Sequence, residues 1–283
     1  METSNNIILN RIFTQNIFSD LINNNGNSLF DTCVRRYLHD ADSLENKQLV
    51  TELYEYLKKK YRNEYYYKNT LLNKLLLGRH SLNTTTALTE VPVKKSKADF
   101  ILINGKAIVY EIKTGLDTFD RLENQINDYY KAFNHVCVVT CESNYNKLQD
   151  ILGESTVGIC VLTDRNTIST RKEPIENNSN LDHSTMFKIL RKQEFEDVLL
   201  DHYGYLPKTL QVKYYKECFK LFSEIEINTV YKSFVKVLKK RNEIEVEEYN
   251  RVPYELKFLM YFANYTKEEY SKLFSFLNEK WRG

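Results

Sequence analysis

Two apolar runs joined by an Asn-Gly pair constrain this chain more than any other feature. Residues 98–103 and 107–112 are rich in Ile, Leu, Val and aromatic side chains and flank Asn104-Gly105. Asn-Gly between such runs is among the strongest local signals for a β-hairpin. Apart from their acids, both runs are apolar on both faces, which describes a central strand pair covered on each side rather than a half-wetted sheet. Asp99 lies at the start of the first run, and Glu111-Ile112-Lys113 closes the second. Removing a carboxylate from water in such a pair costs several kcal/mol unless a cation or metal compensates it. The hairpin therefore gathers two acids and a lysine at one end.

Whether the acids can cooperate depends on the turn, because strand side chains alternate between faces. A two-residue loop at Asn104-Gly105 pairs Asp99 with Tyr110 and points it away from Glu111. A three-residue loop, Ile103-Asn104-Gly105, puts Gly105 in a left-handed bulge position. Asp99 then faces Val109, diagonal to Glu111 on one face. A shared metal needs such an odd-length loop or an equivalent bulge. The alternative is that the two acids are unrelated strand-end ion-pair partners.

The surroundings divide by periodicity. Ile7, Ile8, Ile12, Phe13, Ile17 and Leu21, then Leu49, Leu53, Tyr56 and Leu57, recur at helical spacing, giving a helical N-terminal region over 1–62. Another helix is expected over 63–77, stopped by Gly78. From Thr84 the sequence turns β-rich, and 135–140 and 156–163 read as further buried strands. Asp117 is the expected N-cap of a helix carrying Phe119, Leu122, Ile126, Tyr129 and Phe133. Helix, three strands, helix, strand, strand makes an α/β core over 63–172. Residues 171–184, with Pro174 and the run Asn177-Asn178-Ser179-Asn180, read as a linker, and 186–283 as a C-terminal helical region.

Composition narrows the function classes. Forty Lys+Arg against 38 Asp+Glu give a net charge of +2, so nucleic-acid contact has to come from local patches. Nothing approaches the roughly 18 apolar residues of a membrane span. The first ten residues lack the pattern of a secretory signal. The five cysteines form no CxxC pair, arguing against a zinc ribbon or disulfide framework and for a reducing, cytoplasmic setting. The 21 tyrosines fit an AT-rich genome at least as well as a base-stacking surface.

Asp99, eleven intervening residues, then Glu111-x-Lys113 across a hairpin, followed by a helix carrying Gln125-Ile126-Asn127-Asp128-Tyr129, resembles the PD-(D/E)xK nuclease superfamily. The closest likeness is to its RecB-like, QxxxY-bearing branch. The stretch from Lys97 to Phe100, through 110–114 and 117–122 to Tyr129, also looks like a poorly characterised bacterial family of that superfamily. The likeness covers roughly residues 63–140. The Pro that precedes the first acid in the superfamily's name is here Ala98; it is not a ligand, so little depends on it.

The resemblance implies a restriction-endonuclease-like core, a mixed sheet flanked by helices, and metal-dependent hydrolysis of phosphodiesters. Asp99, Glu111 and the Ile112 carbonyl would hold Mg²⁺ or Mn²⁺, which take hard oxygen ligands. The metal would polarise a phosphoryl oxygen and acidify a bound water. Lys113 would orient that water or stabilise the developing charge. Gln125 and Tyr129, with Arg121 on the same helical stripe, would brace the site or contact substrate. Glu90 is a candidate further metal ligand and Glu64 an additional acid, each equally readable as a solvated glutamate. His80 is a candidate phosphate contact.

The expected function is a Mg²⁺-dependent nuclease of the cytoplasm, with DNA preferred over RNA as substrate and no membrane association. The alternatives are a non-catalytic nucleic-acid-binding or scaffolding protein on a nuclease-like core, and an RNA- or tRNA-directed nuclease of a toxin or defence system. The C-terminal region offers a basic helix face, Lys232, Lys236, Lys239 and Lys240, for nucleic acid, a protein partner or self-association. The acids Glu243, Glu245, Glu247 and Glu248 that follow equally suit a solvated face. Loss of either Asp99 or Glu111 is expected to abolish cleavage and, by relieving repulsion between neighbouring carboxylates, to leave the fold intact or slightly stabilised.

Overall fold

The computed structural model describes residues 8–24, 26–78, 81–241 and 244–283. The chain divides into two compact units, Met1–Arg79 with Glu243–Gly283, and His80–Asn242. This is not the division into three consecutive regions expected from periodicity.

The first unit begins with α1 (Leu9–Ile12), α2 (Gln15–Asn24), α3 (Ser28–Tyr37), α4 (Asn46–Lys60) and α5 (Glu64–Leu71). Caps set their starts: Asn27 accepts from the Leu29 and Phe30 amides at the head of α3, and Asn63 from the Tyr66 amide at the head of α5. Each satisfies helix-end donors that would otherwise be orphaned. A wider turn, Leu72–Leu77, extends α5.

The sheet unit follows, with β1 (Thr86–Val93), β2 (Ser96–Asn104), β3 (Lys106–Ile112), α6 (Leu122–Tyr129), β4 (His135–Thr140), α7 (Glu142–Leu152), β5 (Gly158–Leu162) and β6 (Ile168–Lys172). Then come α8 (His183–Ile189), α9 (Lys192–Tyr203), α10 (Gln211–Glu224) and α11 (Ile227–Leu238). The chain returns to the first unit with α12 (Val246–Arg251), α13 (Lys257–Ala263) and α14 (Lys267–Asn278).

Distant contacts explain the corrected division. In the first unit Asn69 Oδ1 accepts from the Phe258 amide at 2.9 Å, while its Nδ2 donates to the Tyr254 carbonyl at 3.0 Å. Asn46 Nδ2 donates to the Phe276 carbonyl, and the backbones of Glu45 and Lys280 form an isolated antiparallel β-bridge. The 63–77 helix, expected in the α/β core, therefore packs with the C-terminal segment, which local periodicity does not encode.

The second unit is α/β, with a six-stranded mixed sheet in the order β1-β2-β3-β4-β5-β6 flanked by helices. The β1–β2, β2–β3 and β5–β6 pairs are antiparallel; β3–β4 and β4–β5 are parallel. The parallel pairs need crossovers, and α6 and α7 supply them. Ile101, Val109, Val136 and Val138 of the sheet share one buried cluster with Leu122, Phe133, Phe187 and Phe234. Leu238 of α11 belongs to the same cluster, so α8–α11 complete this core and are not part of a separate C-terminal module.

The antiparallel edge strand β6 was not expected, and the linker after it is pinned. The amides of Ile175, Asn177 and Asp182 donate to the carbonyls of Thr156, Asn134 and Lys131. Among the described residues no helix is long and apolar enough to cross a membrane.

Candidate functional site

Gly105 decides the geometry of the hairpin. It sits at φ 73°, which suits glycine because no Cβ meets the following carbonyl. The last pairs around it are Ile103↔Ala107 and Asn104↔Lys106. The turn has odd length, centred one residue later than the three-residue loop considered from sequence. Phe100↔Tyr110 and Ile101↔Val109 follow, and continuing that register sets Asp99 directly across from Glu111. Both therefore share the face of Ile101 and Val109.

Glu111 is 1 % exposed, yet its carboxylate is well provided with donors. Gln125 Nε2 donates to Oε1 at 2.6 Å, Lys113 Nζ lies 2.9 Å from the same oxygen, and the Tyr129 hydroxyl donates to Oε2 at 2.5 Å. Lys113 is 6 % exposed and donates also to Gln125 Oε1 at 2.8 Å. One helix turn between Gln125 and Tyr129 thus clamps a buried carboxylate–ammonium pair from α6. Burial, and then the Glu111 charge, push the Tyr129 phenol far above its ordinary value, so it remains a donor.

Lys113 is fixed from the other side by β4. Its amide donates to the Val139 carbonyl and its carbonyl accepts from Thr140 Oγ1, both at 2.8 Å. Asp99 is half-buried; its Oδ2 accepts from the Ile112 amide at 2.8 Å, and its carbonyl accepts from Thr89 Oγ1 at 2.7 Å.

Glu90 occupies the corresponding place on β1, between the pairs Thr89↔Phe100 and Val91↔Ala98. Its φ is 55°, a left-handed conformation that costs a non-glycine residue about 1–2 kcal/mol. Backbone strain of this kind gathers at sites where a side chain has to be re-aimed. A carboxylate oxygen of Glu90 lies within 4.8 Å of one of Asp99, and Lys97 Nζ pairs with Glu90 Oε2.

The structure thus brings together Asp99, Glu111, Ile112, Lys113, Gln125 and Tyr129, with Glu90 beside Asp99. Arg121 is exposed at the start of α6; its carbonyl accepts from the Gln125 amide at 3.0 Å, but among the described residues its side chain makes no hydrogen bond or ion pair to this group. Glu64 belongs to the other unit, on α5, where its carboxylate lies 2.6 Å from Lys68 Nζ. His80 lies outside the described residues.

Two supporting groups were missed or misassigned from sequence. Asp117 does not cap α6, whose first residue is Leu122. Its Oδ2 instead accepts from the Thr114 amide and hydroxyl at 2.8 and 2.7 Å, shaping the turn directly after Lys113. The Thr-x-x-Asp spacing was the available signal. Asp128 Oδ2 accepts from Ser96 Oγ at 2.7 Å, tying the start of β2 to α6.

Comparison with known proteins gives a family. The family model of bacteriophage P4 protein cII matches residues 7–253. Protein cII of Enterobacteria phage P4 is 26% identical over 172 residues, covering 59% of this chain and 63% of that relative. The match thus spans less than two thirds of the relative's length. No solved structure matches.

Proposed function

We propose that this chain, which belongs to the bacteriophage P4 protein cII family, is a metal-dependent nuclease with a PD-(D/E)xK-type core, acting on DNA in preference to RNA. One observation carries the reading. Asp99 and Glu111 oppose each other on one face of adjacent antiparallel strands, with Lys113 two residues on and bonded to Glu111.

The donor set suits Mg²⁺ or Mn²⁺, which prefer carboxylate and carbonyl oxygens. Asp99, Glu111, the Ile112 carbonyl and Glu90 would hold the ion. A carboxylate offers about four lone-pair positions; among the described residues three donors reach Glu111, leaving room there for one more bond. When bound, the ion would supply Lewis-acid polarisation of a phosphoryl oxygen and an acidified water. Lys113 keeps an ammonium beside that position in a poorly hydrated site, where a fixed positive charge stabilises a developing negative one strongly. Gln125, held by both Lys113 and Glu111, keeps the two groups aligned.

A second reading, a non-catalytic nucleic-acid-binding protein on the same core, draws on the near-complete burial of Glu111. Incubation of the full chain with plasmid, linear DNA and total RNA, in Mg²⁺ or EDTA, separates the readings. Mg²⁺-dependent cleavage of DNA, lost in Asp99→Asn, is expected. Binding of DNA without cleavage in Mg²⁺ or Mn²⁺ would favour the non-catalytic reading, and cleavage of RNA alone an RNA-directed nuclease.

A further inference from the structure

At the other end of β3 from Glu111, the sheet unit opens a separate cleft of about 450 Å³. Ala107, which lines it, is four residues from Glu111, roughly 13 Å at the rise of a strand. Four lysines border the cleft: Lys106 from β3, and Lys232, Lys236 and Lys239 from α11 and its end. The three α11 positions recur at helical spacing, so they present one edge of the helix to the cavity. Among the described residues one carboxylate, Glu176, shares the lining. Lys236 is drawn to Asp201 at 3.0 Å; among the described residues Lys106, Lys232 and Lys239 have no carboxylate partner. Like charges held together without partners are unfavourable, and an anion between them removes that penalty.

Beside the lysines stands an ordered polar wall. The Tyr231 hydroxyl donates to Asn134 Oδ1 at 2.6 Å, and His135 Nδ1 shares that oxygen at 2.8 Å. Asn134 Nδ2 donates to Glu176 Oε1 and Asn178 Oδ1 at 3.2 and 3.0 Å. Asn134 and His135 are both buried, so the wall is formed in advance of any ligand. The lysine edge is braced too, because Thr86 Oγ1 donates to the Lys239 carbonyl at 2.6 Å. Tyr231 and Val235 add an aromatic and an aliphatic surface to the same lining.

We propose that this cleft binds a free nucleotide, the lysines holding its phosphates and the Tyr231–Asn134 wall receiving the nucleoside. Phosphate is an anion that lysine ammonium groups bind as point charges. A volume of this size is in the range of small-ligand sites, which combine apolar wall with a few placed polar groups. Lys240, the next residue along, does not line the cleft, so the charge is gathered locally instead of tracking along an extended strand.

Calorimetry on the full chain in EDTA, which keeps divalent ions away, tests this with ATP, inorganic phosphate and a 5′-phosphorylated oligonucleotide as probes. ATP should bind with Kd below about 1 mM, at least tenfold tighter than inorganic phosphate. The double substitution Lys106→Gln, Lys239→Gln should weaken ATP at least tenfold while circular dichroism and Tm stay unchanged, since both side chains are exposed. Absence of ATP binding would overturn the proposal, as would wild-type affinity in the double variant. Equal affinity for phosphate and ATP would reduce the cleft to an anion hole, and an oligonucleotide bound tenfold tighter than ATP would make a strand phosphate the ligand; either result overturns the free-nucleotide assignment.

Discussion

The Tyr129 hydroxyl donates to Glu111 Oε2 at 2.5 Å, and both side chains are almost wholly excluded from solvent. Replacing Tyr129 with Phe keeps the ring and removes only the donor, leaving a buried carboxylate oxygen short of a partner. Such a loss costs about 1–3 kcal/mol. The urea midpoint of Tyr129→Phe should fall accordingly. A midpoint equal to or above wild type would show that the hydroxyl contributes nothing to holding the acid.

Glu111→Ala should be strongly destabilising, the reverse of what sequence suggested for removing one of two neighbouring acids. Attraction outweighs repulsion at Glu111, because Lys113, Gln125 and Tyr129 all converge on it. Truncating it strands the Lys113 ammonium at 6 % exposure. Breaking a buried pair from one side costs about 3–5 kcal/mol. Asp99→Asn should cost about 1 kcal/mol or less, since an amide oxygen can still accept from the Ile112 N–H. Denaturant curves on the two variants check the contrast, and equal losses would contradict it.

Lys113→Ala should separate rate from metal affinity if the proposed nuclease reading holds. An ammonium has no lone pair for a cation, so Mn²⁺ titration by calorimetry should retain affinity within about threefold. Cleavage should fall by about 10²-fold or more, the scale of losing one stabilising donor at a developing charge. Loss of Mn²⁺ binding in a folded Lys113→Ala protein would show that the lysine organises the ligands instead.

Much of the candidate site's geometry was legible because its signals are local. The Asn104-Gly105 turn, the acids at fixed distances from it, and Gln125 and Tyr129 one helical turn apart each depend on short-range geometry. The register stayed open because loops of different length satisfied the same apolar pattern; the structure takes neither of the two considered, since Asn104 pairs with Lys106 across Gly105. The left-handed φ of Glu90 has no sequence signature, since glutamate rarely adopts it. The β6 strand was missed because Ile168–Lys172 is polar on an edge, where half-exposed positions blur alternation. The two-unit division depends on Asn46–Phe276 and Asn69–Phe258, pairings across most of the chain that no periodic window contains.

The first unit should unfold in alkali as its tyrosines ionise. Burial pushes the Tyr66 phenol up to about 12, and raises Tyr54, Tyr65 and Tyr249 further. Tyr65 donates to the Glu255 carbonyl at 2.5 Å, and Tyr54 stacks edge-on against Tyr65, so an ionised phenol there would lose its hydrogen bond as well as its hydration. In the unfolded chain these groups release protons near pH 10. The folded state then binds more protons than the unfolded one, so stability falls as pH rises. The contribution is complete below about pH 10 and is lost between pH 10 and 12 for Tyr66, with the others pulling in the same direction. Tyrosinate absorbance and far-ultraviolet circular dichroism, followed together through that window, should show the buried tyrosines ionising in one step with the loss of helix. Smooth ionisation of all tyrosines near pH 10 with the helices intact would refute this.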